Sequence, residues 1–69
     1  MNTYLVAWDE GQLDVEVDVS VELRGSDYEI FSVNAWWLNG VEQSRTAIPQ
    51  VLKHDAFELA FDEYREQYQ

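Results

Sequence analysis

The sequence predicts an α+β domain: a three- to four-stranded antiparallel meander followed by C-terminal helical structure packed on one face. Three observations carry this. Residues 13–23 place Leu or Val at every odd position and a polar residue at every even one, a period of two that a half-buried strand requires. Gly11, Gly25 and Gly40 punctuate the apolar stretches as turn residues do. From Thr46 onward the period changes, and Phe57, Phe61, Tyr64 and Tyr68 recur at helical spacing.

The first strand is expected at residues 4–8, closed by a turn at Asp9-Glu10-Gly11-Gln12. The second, residues 13–23, has β-branched residues on its apolar side and is predicted to be buried on one face and wet on the other, as in an antiparallel sheet. Gly25-Ser26-Asp27 reads as the next turn, and residues 28–38 as a third strand rich in aromatics. Its alternation slips: Tyr28 and Ile30 lie on one face, Phe31, Val33, Ala35 and Trp37 on the other. A bulge near Ile30-Phe31 would reconcile them. Asn39-Gly40 is a strong two-residue hairpin signal, because both residues tolerate positive φ, so residues 41–44 form a short fourth strand. Pro49 suits the first turn of a helix. Asp55-Ala56-Phe57-Glu58 resembles a capping box, and the preferred reading is a short helix broken at His54 with a second beginning at Asp55; one continuous helix is the alternative.

Sixty-nine residues make one domain, 1–69, with one core. There is no cysteine, which favours the reducing cytoplasm over secretion. The N-terminal stretch has no basic region ahead of an apolar one, as a signal sequence needs, and no apolar run approaches the roughly 20 residues that span a membrane. Fourteen acids against four bases give a net charge of −10. That sign excludes electrostatic binding to nucleic acid or anionic lipid directly; a partner selected by charge is basic.

Catalysis is not expected. Nucleophilic chemistry needs a nucleophile beside an oriented base, and His54, the single histidine, has nothing in sequence to orient it. No metal or other cofactor is expected either. Asp14, Glu16 and Asp18 alternate along one strand face at ~6.8 Å, whereas calcium ligands must lie within ~2.6 Å of one ion. The glycines all sit in turns and form no phosphate-binding loop.

Two groups of residues remain as candidate partner-binding positions. Asp14, Glu16, Asp18 and Glu22 line the wet side of the second strand, with Ser20 interrupting; Glu29, Asp9 and Glu10 are candidates to join them. A row of carboxylates at this spacing resembles a strand of phosphates and suits a groove that holds a nucleic-acid backbone. Lysine, the usual edge-protecting residue, occurs once. The other group is Trp36-Trp37: adjacent strand residues face opposite sides, so one ring is expected in the core, and the other, if exposed, anchors an interface.

The segment Trp37-Leu38-Asn39-Gly40-Val41-Glu42, followed by Ile48-Pro49-Gln50-Val51-Leu52 and an acidic tail, resembles small proteins of bacteriophages and prophages. In size, acidity and lack of cysteine the whole chain is similar to phage-encoded anti-defence inhibitors of the anti-CRISPR and anti-restriction type. That resemblance implies a stoichiometric inhibitor occupying a basic, nucleic-acid-binding surface of a host protein in the bacterial cytoplasm, and it transfers no site residue. The alternative reading is a structural or regulatory interaction module, a homodimer joined through the aromatic segment at residues 36–41, with the acids serving solubility alone.

Overall fold

The computed structural model describes residues 2–25 and 28–67. Four antiparallel strands follow one another in space as in sequence: β1 (Asn2–Glu10), β2 (Leu13–Arg24), β3 (Tyr28–Leu38) and β4 (Val41–Gln43). A turn of 3₁₀ helix (Arg45–Ala47) leads to one α-helix, α1 (Gln50–Gln67), which lies over β1 and β2. The expected meander with C-terminal helical structure is therefore the observed architecture, and among the described residues nothing covers the other face of the sheet.

Turn chemistry sets the meander. Glu10 pairs with Leu13, leaving Gly11-Gln12 as a two-residue loop. Gly11 has φ +65° and Gln12 is not in the positive-φ region, the pattern of a type II′ turn. Asn39 and Gly40 have φ +50° and +80°, as type I′ demands. Asn39 also ties this turn to β2: its side-chain oxygen accepts from the Asp14 N–H at 2.8 Å, while its own N–H donates to the Asp14 carbonyl at 2.8 Å. Of the turn expected at Gly25-Ser26-Asp27, Ser26 and Asp27 lie outside the described residues.

β2 is flanked by strands on both sides and roofed by the helix, so Val15, Val17 and Val19 lose all solvent contact. Around them pack Val6 from β1, Trp36 from β3, and Leu52, Ala56 and Ala60 from α1. Trp36 carries its polar atom into this core satisfied: its indole N–H donates to the Ser44 carbonyl at 2.7 Å.

Three sequence expectations need correction. The bulge falls at Asn34, not near Ile30-Phe31: Asp18 pairs with Ala35 and Val19 with Val33, so Asn34 is the extra residue. Phe31 and Val33 therefore share the helix-facing side with Trp36 and Leu38, whereas Ala35 and Trp37 turn to the open face. The bulge resolves a parity conflict, since apolar residues at 31 and 33 and at 36 and 38 cannot reach one core on an unbroken strand.

The helix is continuous through His54. No Gly or Pro interrupts it after Pro49, whose carbonyl accepts the Lys53 N–H at 3.0 Å and closes the first turn from just outside. Asp55 inside a helix costs under about 0.7 kcal/mol, little beside the burial of Leu52, Ala56 and Ala60 at successive i,i+4 positions. Those residues, and not the aromatic stripe, form the buried seam, because small side chains let the helix seat closely on a valine-covered sheet. Phe57 and Phe61 flank the seam toward β3, with ring centroids 5.6 and 6.1 Å from that of Phe31, and Phe61 stays 38% exposed. Tyr68 lies outside the described residues.

Candidate partner-binding face

The period of two in β2 sends its valines toward the helix and its acids the other way, and strand pairing decides what stands beside each acid. Glu16 lies between Ala7 and Trp37, Asp18 between Leu5 and Ala35, and Glu22 opposite Ile30. Trp37 is paired on its far side with Glu42, and Asp14 with Asp9. The open face thus carries Asp9, Asp14, Glu16, Asp18, Glu22 and Glu42. Among the described residues its single base is Arg24, 3.6 Å from Glu22 at the end of the row. Next to this acidic row runs a largely apolar one on β3, from half-buried Trp37 through Ala35 to exposed Ile30 and Tyr28, interrupted by exposed Ser32.

Of the sequence candidates, Asp14, Glu16, Asp18 and Glu22 are gathered on this face, and Asp9 joins them. Glu29 does not: it pairs with Leu23, whose side chain is on the helix side, so the bulge has moved Glu29 off the acidic face. Trp36 is also removed from the surface, being 4% exposed, which leaves Trp37 as the surface member of the pair. Sequence reasoning missed Glu42, although the Asn39-Gly40 hairpin already places it opposite Trp37. The gap at Ser20 has a local cause. Asn34, displaced by the bulge, donates to the Ser20 hydroxyl at 2.5 Å, and Ser20 is buried although it belongs to the uncovered face.

Crowding of like charge is strongest where Asp9 meets Asp14. The Asp14 carboxyl is held above its ordinary value of 3.8, first by a hydrogen bond with the Asp9 side chain and then by the Asp9 charge, with desolvation and Glu16 adding to it. A carboxyl whose folded value is raised binds protons more tightly in the folded state, so it lowers stability once ionised. Asp14→Asn is therefore expected to melt above the parent at neutral pH. The gap should close as pH falls through the window between the raised value and 3.8, and vanish below it. Thermal melts across pH check this, and a gap that is absent at pH 7 or persists in acid would contradict it.

Elsewhere, His54 sits exposed on the helix with Nδ1 3.9 Å from Asp55 and Nε2 3.8 Å from Glu58. These three are the one group among the described residues whose ligand atoms come within 4.8 Å of one another. The carboxylates approach different nitrogens of the same ring. One atom from each residue still lies within that distance, so three are on offer to one ion, but two of the three side chains are exposed on a single helix, where acidic clusters of this kind are common without a metal. No described helix is long and apolar enough to cross a membrane.

Compared with protein-family models, curated proteins and solved structures, the chain matches none.

Proposed function

We propose that this chain is a non-enzymatic inhibitor that occupies a basic, nucleic-acid-binding surface of another protein, in the manner of anti-CRISPR or anti-restriction proteins. The observation that carries the reading is the segregation, among the described residues, of six carboxylates onto one sheet face with a single base at its end. Such a face attracts Lys- and Arg-rich surfaces from a distance and repels nucleic acid itself. Beside the acids, the apolar row of Trp37, Ala35, Ile30 and Tyr28 supplies contact area of the kind that holds a complex once formed. The action is steric and electrostatic: carboxylates meet the bases that otherwise hold phosphates, and the nucleic acid is excluded.

Competition tests this. The chain is immobilised, a basic nucleic-acid-binding protein is recovered on it from a bacterial lysate, and the complex is titrated with that protein's own DNA or RNA. The nucleic acid should displace the chain, and affinity should fall steeply between about 50 and 200 mM salt, as binding at a phosphate-contacting surface does. Simultaneous binding of chain and nucleic acid, with affinity indifferent to salt, would refute the proposal.

The second reading, an interaction module that binds through apolar contacts, is favoured by the exposure of Leu5 and Tyr28 on the same face, 59% and 57%. As a face-to-face homodimer it would oppose two acidic rows, which charge repulsion disfavours.

A further inference from the structure

We propose that the free edge of β1 is a second element of the partner site, which takes up an extended basic segment as a fifth strand of the sheet; this rests on the reading that the partner is basic. β1 is the terminal strand of the sheet, paired with β2 along its whole length without a bulge, and among the described residues no strand covers the outer side of residues 5–10. That stretch contains neither lysine, proline nor bulge, and the charges that it does carry, Asp9 and Glu10, guard it against an acidic edge but not against a basic strand. Main-chain pairing along such an edge supplies affinity, and pockets for alternate side chains supply selectivity.

The pocket for alternate side chains is present. On the helix side of β1, Trp8 and Leu59 form the apolar floor of a cleft of about 280 Å³ rimmed by Asp55, Glu58 and Asp62. A lysine or arginine on the added strand would lay its aliphatic stem on Trp8 and Leu59 and its cation among the carboxylates, with the indole face contributing a cation–π attraction. On the open side the same strand would meet Leu5 and Ala7, so its intervening residues should be apolar or β-branched. The occupant is a segment in which Lys or Arg alternates with such residues.

Charge separates this occupant from the competing ones. A second copy pairing β1 to β1 about a two-fold axis would bring Asp55, Glu58 and Asp62 of each helix toward those of the other, a like-charge contact. At the opposite end of the sheet, β4 pairs only with residues 36–38 of β3, and beyond that pairing Phe31, Ser32 and Val33 of β3 border a cleft lined also by Arg45 and Lys53. That edge repels the basic segment that β1 attracts.

The test uses the full chain and two capped peptides of about eight residues, one alternating valine with lysine and one alternating proline with lysine. Their charge is equal, but proline has no N–H to give to a ladder. The valine peptide should bind at least about tenfold more tightly, with slowed hydrogen exchange on residues 5–10 and amide shifts there, at the Trp8 indole and at residues 55–62 beside the cleft. Glu58→Lys should weaken it by a similar factor without altering the fold by circular dichroism. Equal affinity for both peptides, with shifts centred on residues 14–22 and Trp37, would overturn the added strand and leave the acidic face as the site. Failure of both peptides to bind at low salt would overturn the added strand and the basic-partner reading together.

Discussion

Replacing Val17 with aspartate is expected to unfold the domain at room temperature. Val17 has no solvent exposure and stands between Val6 and Trp36 in adjacent strands, beneath the helix. No basic residue belongs to the cluster around it, so the carboxylate would be buried without a partner, which costs several kcal/mol even after relaxation. At about 0.05–0.15 kcal/mol per residue, a chain of this size is stable by only about 3–10 kcal/mol. The cost and the stability are of the same order, and the folded state should lose. Val41→Asp is the matching control, because Val41 is 62% exposed at the end of β4 and exposed substitutions move stability by about 0.5 kcal/mol or less. Circular dichroism and thermal melts of the two variants make the comparison. If Val17→Asp melts like Val41→Asp, the core is not centred on β2.

Reversing the acidic row should abolish tight partner binding while leaving the fold intact. Asp14→Lys, Glu16→Lys, Asp18→Lys and Glu22→Lys together change the net charge from −10 to −2, since each reversal adds two units. Asp14 is exposed and the other three half-buried on the uncovered face, where lysine can run its stem along the sheet and keep its ammonium in water. The change gives up the exposed Glu22–Arg24 pair, worth about 0–1 kcal/mol, and relieves the crowding of Asp14 by Asp9 and Glu16. The melting temperature should hold or rise as self-repulsion falls. Affinity for a basic target should drop by several kcal/mol, through slower association and new like-charge contacts. Trp37→Ala probes the apolar reading separately, because an aromatic anchor is worth about 2 kcal/mol or more. Retained affinity and salt dependence in the lysine variant, with loss in the tryptophan variant, would replace charge mimicry by the apolar module.

How much of this was legible in advance depends on the range over which each feature is decided. The acids of β2 could be placed on one wet face from residues 13–23 alone, because strand periodicity is a property of consecutive residues. The type I′ turn at Asn39-Gly40 was equally local, and together with the period of β2 it implied an antiparallel meander. The position of the bulge was not local. Residues 28–38 allow the slip at more than one place, and packing of Phe31, Val33, Trp36 and Leu38 against β2 and the helix selected Asn34. That choice sent Trp36 inward, kept Trp37 on the surface and moved Glu29 to the other side of the sheet. The helix obeyed the same logic: its sequence displays an aromatic stripe, yet Leu52, Ala56 and Ala60 were buried, because the valine-covered sheet accepts small side chains beneath the helix and leaves the phenylalanines for the gap toward β3. Only tertiary structure could bring Trp8 to Asp55, Glu58 and Asp62, since the docking of a helix on a sheet is settled by shape between elements some fifty residues apart, not by any residue's neighbours in the chain.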